Sequence, residues 1–379
     1  MNRSGNYVQL STYKAFVPAS LPPKPELAID SDMQNHLSRA ERALAKMDGI
    51  AHALPSHNLF IAMYVRKEAL LSSQIEGTQA SLEDIFEVEN GNKPENINDV
   101  EEVINYIKAL NHGIRRLDDL PMSLRLIKEI HDVLLKGVRG ESKYPGEFRR
   151  TQNWIGAHGA NLSNASFVPP APADMIKAMN DLEAYMHREK GYPELIECAL
   201  IHYQFETIHP FLDGNGRLGR LLITYYLYWK QIVSKPLLYL SLYFKRNRQE
   251  YYDRLTMVRT KGDYEQWVMF FLRGLAETAE SGLENIKKIM ALRQIKENLL
   301  WQNKLSSPYA VGLLNFLFTV PYVNIKLVAK KFDVSFQSAS TLVSQFVKLG
   351  ILKEITGRKR DQKFVFKDYV ALLSEGTEL

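Results

Sequence analysis

Twelve consecutive residues, His209-Pro210-Phe211-Leu212-Asp213-Gly214-Asn215-Gly216-Arg217-Leu218-Gly219-Arg220, constrain this chain more than any other stretch. Gly214 and Gly216 are expected to let the backbone turn with positive φ and come close to a ligand. The apolar run Leu218, Leu221, Leu222, Tyr225 and Tyr226 that follows has helical spacing. The stretch therefore predicts a loop opening into a helix. Free N–H groups at a helix start, the helix dipole and nearby arginines make an anion site, so a phosphorylated ligand is expected. Arg217 and Arg220 stand at i and i+3, close enough to hold neighbouring phosphates. Asp213 offers a carboxylate for Mg2+, and His209 a general base for a hydroxyl attacking phosphorus. A His-Pro alone is a loop and a Gly-Asn-Gly alone a turn. Packing does not explain base, metal ligand, glycines and two arginines in one register.

At every fixed position the string matches the Fic motif, and the sequence resembles the Fic family over most of its length. The resemblance implies a mainly α-helical core that transfers AMP from ATP to a hydroxyl side chain of a protein. It implies that His209 deprotonates the target hydroxyl and that Asp213 binds Mg2+. The Gly214–Gly216 backbone with Asn215 would form an anion hole, and Arg217 and Arg220 would contact the outer phosphates.

Upstream, Leu37, Ala40, Leu44 and Met47 mark one helix. After a break at Pro55, Leu59, Met63, Val65, Ala69, Leu70 and Ile75 mark a second. The second ends in Ser72-Ser73-Gln74-Ile75-Glu76-Gly77, with Gly77 where a C-cap glycine belongs and Ser72 and Glu76 at i and i+4. Alone this is a polar helix end. Beside the Fic motif it resembles the family's inhibitory-helix motif, which implies that Glu76 pairs with Arg220 and denies the γ-phosphate its cation. Ser81 to Asp84 reads as a capping box. Val103 to Leu110 and Leu126 to Leu134 mark further helices, the latter from about Ser123, with His131 a structural histidine inside it. Residues 1 to about 30 show no periodicity and read as an extended surface arm.

Between Thr151 and Gly156, and again at Phe167–Pro170, the pattern predicts an exposed β-hairpin between helices. It resembles the Fic flap, which holds a target segment by strand addition, and Ile155 and Gly156 are expected beside ATP. Leu195 to Thr207 predicts an amphipathic helix delivering His209, with Cys198 a buried structural thiol. The neighbours Tyr251 and Tyr252 point in different directions, so one can pack while the other touches a ligand, and the Fic resemblance implies a nucleobase contact there. Arg259 stands near the place where some relatives carry an adenine-binding Asn.

A long helix from Asp263 to about Glu297 leads out of the core. The order beyond it, helix Val323–Phe332, turn, helix around Ala339–Val347, then two strands about Gly357-Arg358-Lys359-Arg360, resembles a winged helix-turn-helix. Such a unit offers DNA its second helix and basic wing, or docks protein. The expected domains are 1–112 with the inhibitory helix, 113–297 the Fic core, and 298–379 the winged helix. The formal charge of +5 resides in that tail, where 11 Lys and Arg face 6 Asp and Glu from Trp301 onward.

No uninterrupted apolar run of about 18 residues predicts a membrane span. A single cysteine excludes an internal disulfide. With no signal-peptide pattern at the start, the expected location is the cytoplasm. The leading expectation is a protein adenylyltransferase acting on a target protein or itself, with homo-oligomers open. Two alternatives keep the fold: a phosphotransferase or AMP-removing enzyme, and a DNA-binding regulator whose core senses nucleotide.

Overall fold

The computed structural model describes residues 2–377 apart from 54–56, 90–93, 95, 157–158 and 190. The helix break expected at Pro55 lies outside the described residues. The chain is mainly helical, as its periodicity predicts. The surface arm is instead largely a two-stranded antiparallel sheet, β1 (Gly5–Gln9) and β2 (Lys14–Pro18), registered Gly5 to Pro18. Its outer strand is exposed and its inner strand buries Ala15 and Phe16.

The N-terminal helices are α1 (Ser31–Ala53), α2 (His57–Ile75), α3 (Leu82–Glu89) and α4 (Ile97–Arg116). Ser81 caps α3 reciprocally: the Asp84 N–H donates to its hydroxyl at 3.2 Å and its own N–H donates to the Asp84 carboxylate at 2.9 Å. Next come α5 (Leu124–Leu135), capped by Ser123, and α6 (Pro172–Met186). The helices on either side of the glycine loop are α7 (Glu194–Ile208) and α8 (Asn215–Trp229), followed by α9 (Ser241–Arg246), α10 (Arg248–Lys261) and the 39-residue α11 (Tyr264–Gln302). The boundaries expected after 112 and 297 fall inside α4 and α11, so these helices join neighbouring units.

Helix α7 is not amphipathic. Every residue from Leu195 to Ile208 except Glu206 is buried, because α1, α6, α8, α11 and β2 surround it. Its polar side chains are accommodated by specific partners. Glu197 accepts from Tyr226 at 2.8 Å, Gln204 donates to the Ala19 carbonyl at 2.9 Å, and His202 bridges the Gly219 carbonyl and the Tyr251 hydroxyl. Cys198 is buried, and burial raises its thiol pKa, as befits a structural thiol.

The tail comprises α12 (Pro308–Leu317), β3 (Tyr322–Asn324), α13 (Ile325–Phe332), α14 (Phe336–Lys348), β4 (Lys353–Glu354), β5 (Lys363–Val365) and α15 (Lys367–Ser374). Its antiparallel sheet runs β3-β5-β4. Val323 belongs to β3 rather than to the following helix, which Asn324 caps through Leu327 N–H. Among the described residues no helix is long and apolar enough to cross a membrane.

Candidate active site

His209 ends α7 in the left-handed region, φ 51°, so the chain reverses there and enters the loop. The carbonyls of the loop are held from outside. Arg149 donates through Nε to His209 O at 3.0 Å and through its N–H to Pro210 O at 2.9 Å. Asn153 donates to Phe211 O at 2.8 Å. His131 receives the Gly146 N–H on Nδ1 at 2.9 Å, so its proton sits on Nε2 and is donated to Asp213 O at 3.0 Å. Its ring stacks on Phe211 with centroids 3.7 Å apart, and burial lowers its pKa to about 4. It is structural, as expected.

The Asn215 side chain accepts from Phe211 N–H at 2.9 Å and donates to Phe211 O at 2.8 Å. It therefore ties the loop closed, and any anion contact falls to the backbone around it. Gly214 takes φ 74°, as anticipated, but Gly216 is helical and does not. Gly216 matters through close approach: a Cβ there would displace Glu76 Oε1, the end of a side chain held by Arg220. At 219 a Cβ would meet Glu206 instead. Three residues apart on α8, two glycines each make room for a carboxyl group.

The carboxyl group beside Gly216 closes the site. Arg220 is 2% exposed and donates from NH2 to Glu76 Oε1 at 2.7 Å and to Ser72 O at 2.9 Å, and from Nε to Ser72 Oγ at 2.8 Å. The last turn of α2 is thus clamped to α8. Gly77, φ 96°, ends that helix in a Schellman turn, with Thr78 N–H on Ser73 O and Gly77 N–H on Gln74 O. Burial would raise the Glu76 pKa, but the Arg220 charge and hydrogen bond outweigh it and hold the carboxyl below its usual range. Burial likewise opposes the charge on Arg220, and Glu76 more than restores it.

Arg217 is committed to an acid that the sequence did not single out. Its NH1 donates to Glu102 on α4 at 3.1 Å, both side chains being 2% exposed, while Asp213 lies 3.7 Å from NH2. Two further acids were missed, the buried Glu68 and the half-buried Glu206. Burial raises each to about 7, against the lowering influence of Arg220. Isolated acids in helical patterns carry no sequence signal of this kind.

For His209, burial and then the Arg149 charge lower the pKa to about 4, so the imidazole is neutral near pH 7 and able to accept a proton. Asp213 stands at the loop exit with its side chain 36% exposed and Oδ1 accepting Gly214 N–H at 2.6 Å. Among the described residues no three His, Cys, Asp or Glu side chains converge on a metal position. A lone accessible carboxylate fits Mg2+, which shares its coordination with substrate phosphates and water.

The flap is reduced to one bridge, Ile155 pairing with Phe167 at 2.8 and 3.0 Å, rather than two strands. On its other side Val168 O accepts from Phe16 of β2 at 2.9 Å, which gives the hairpin its packing partner. Ile155 and Trp154 are exposed at 40% and 42%. Gly156 adjoins Ala160 in the connecting loop. Tyr251 is the packed tyrosine, stacked on Phe244 at 4.5 Å and bonded to His202, which leaves no face for a base. Tyr252, 39% exposed, is the one at the surface. Arg259 lies over the Phe167 ring at 4.2 Å and so belongs to the flap.

Three family models match consecutive stretches: Fic/DOC family N-terminal over 34–115, Fic/DOC family over 121–227, and the C-terminal domain of protein adenylyltransferase SoFic-like over 280–369. The chain belongs to the Fic/DOC family. This Fic protein is similar to curated proteins named protein adenylyltransferase Fic. That of Aedes aegypti is 32% identical over 166 residues, 43% of this chain and 30% of the relative. That of Drosophila grimshawi is 30% identical over 258 residues, 64% of this chain and 49% of the relative. The chain thus spans half or less of the length of these relatives. Its fold is shared with a Fic family protein from Desulfovibrio desulfuricans G20, TM-score 0.58 at 17% identity, covering 90% of this chain and 97% of that one. It is also shared with Fic-1 from C. elegans, TM-score 0.51 at 21% identity, covering 69% and 73%.

Proposed function

We propose that this Fic protein transfers AMP from ATP to a hydroxyl side chain, Tyr, Ser or Thr, of a target protein or of itself, and that Glu76 restrains the reaction. The observation that carries the reading is a neutral histidine set directly before a glycine loop and two arginines, with a carboxylate bonded to the second arginine. The relatives' name supports the reaction class.

In this reading His209 takes the proton of the incoming hydroxyl, whose oxygen bonds to the α-phosphorus while the α–β bridging bond breaks and pyrophosphate leaves. The N–H groups at the start of α8 hold α-phosphate oxygens in line. Mg2+, bound by Asp213 together with the phosphates, would neutralise charge on the leaving group. Glu76 competes with the outermost phosphate for Arg220, so ATP enters with its α-phosphate out of line for attack.

The test is transfer of label onto protein by Glu76→Gly from α-labelled but not γ-labelled ATP, lost in Glu76→Gly/His209→Ala. Label from the γ position instead establishes phosphotransfer, and binding without transfer a nucleotide sensor.

We read the tail as a winged helix. The outward residues of α14 include Gln337, Ser338, Thr341 and Gln345, and its one basic residue is Lys348 at the far end. Phosphate contact would fall to Arg358, Lys359 and Arg360, so this helix face suits a protein surface better than duplex DNA.

A further inference from the structure

Arg220 is not the only group holding the turn that carries Glu76. Gln74, two residues earlier, directs its amide away from the glycine loop. Its Nε2 donates to Ala80 O and to Thr377 O, both at 3.1 Å, and its Oε1 accepts from Lys245 Nζ at 2.8 Å. The main-chain carbonyl of the same residue is the acceptor for Gly77 N–H in the Schellman turn. One side chain therefore links the inhibitory turn to α9 and to the segment following α15.

That segment is seated. Thr377 is 7% exposed, and both its N–H and its hydroxyl donate to Ser374 O at 2.9 Å. Gly376, at φ 81°, packs so closely that a Cβ would run into Leu242 and lie 3.2 Å from an Arg246 nitrogen. The rest of the tail grips the same side of the core. Lys363 pairs with Glu87 of α3, Tyr322 lies 5.5 Å from the Phe86 ring, and Lys296 of α11 pairs with Asp368 at 2.7 Å.

We propose that Gln74 is a positioning residue through which the tail holds Glu76 against Arg220, so that a partner or modification that lifts residues 375–377 releases the restraint. The inference rests on the reading that Glu76 restrains transfer. Glu76 itself is poorly anchored: its side chain is 35% exposed and its hydrogen bond to Arg220 is the one that fixes its head. Its aim therefore depends on the helix turn behind it. The main-chain hydrogen bonds of that turn are supplemented by the Gln74 amide, which holds the nearby Ala80 carbonyl and reaches Lys245 and Thr377, both distant in sequence.

The test uses the full chain with Mg2+ and α-labelled ATP. Gln74→Met keeps the side-chain length and removes the polar atoms. Gly376→Val unseats the segment from the other end, away from the turn. Each is expected to raise AMP incorporation by about five-fold or more, the low end of coupling between sites. Neither should change the rate when added to Glu76→Gly. A purely structural role would lower thermal stability without this dependence on Glu76. An unchanged rate in Gln74→Met beside a fast Glu76→Gly overturns the inference and leaves the restraint by Glu76 intact. An equal rise in the Glu76→Gly background also overturns it. A Glu76→Gly variant no faster than wild type removes the restraint reading and this inference together. If Gly376→Val does not fold, Gln74→Met decides alone.

Discussion

Arg220 on α8 and Glu76, in the turn that ends α2, meet at 2.7 Å, and the same guanidinium also makes two hydrogen bonds to Ser72 in the last turn of α2. A cation beside the glycine loop is thus occupied by three oxygens of its own chain. Once Glu76 is removed, Arg220 should become an asset to transfer. Adding Arg220→Ala to Glu76→Gly is expected to lower the rate of α-label incorporation roughly 10- to 150-fold, for a charged hydrogen bond of about 1.5–3 kcal/mol. An unchanged rate would show that Arg220 does not touch the nucleotide.

Gly216 and Glu76 form a steric pair. Gly216→Ala should push the Glu76 carboxylate off Arg220 in the wild-type protein and so be less favourable there than in the Glu76→Gly background, where the helix gains up to about 1 kcal/mol from alanine. Thermal melts of the four proteins in the cycle give the coupling, expected at about 0.5–3 kcal/mol for residues in contact. Additive effects would mean that the two do not touch.

The lowered pKa of His209 fixes the pH profile. With the imidazole neutral above about pH 4, transfer by Glu76→Gly should show no histidine limb between pH 6 and 8 and should fall only on approach to pH 4. A limb centred near 6.5 in kcat/KM would contradict the buried environment found here. His209→Ala should lose roughly 10²–10⁴ in rate, the usual contribution of a positioned base.

Burial acts oppositely on the acids and histidines of the core. His131 and His202 have folded pKa values lowered to about 4 and about 3, so the unfolded chain binds their protons first and stability falls as pH drops below about 6.5. Glu68 is raised from 4.5 to about 7, so its contribution is present below 4.5 and lost as pH rises through 7. Glu68→Gln removes that loss. Its stability should rise with pH across this window more steeply than wild type by up to about 1.4 kcal/mol per pH unit, measured by urea unfolding. An identical pH dependence would place a charged Glu68 in the fold.

The glycine loop, its helix and the Ser72–Gly77 turn were legible in the sequence because each is local: capping, turn and helix periodicity act over a few residues. What closes around them was not. Glu102 against Arg217, Arg149 on the carbonyls of His209 and Pro210, and Glu206 over Gly219 join residues far apart in the chain or on facing helices. No spacing rule reports such partners. Helix α7 shows the same limit, since a helix buried on all sides has no polar face to betray its orientation. The β1–β2 hairpin escaped notice because one of its strands is solvent-exposed and the other is covered by the flap.

Once Glu76 is gone, a nucleotide is expected to lie in the loop after His209 with its α-phosphorus open to a hydroxyl. Intact mass of Glu76→Gly after incubation with Mg2+ and ATP tests it most directly. The expected result is a mass increase of one or more adenylate groups, absent from Glu76→Gly/His209→Ala. An unshifted mass for Glu76→Gly, with or without added protein substrates that also stay unmodified, would contradict it.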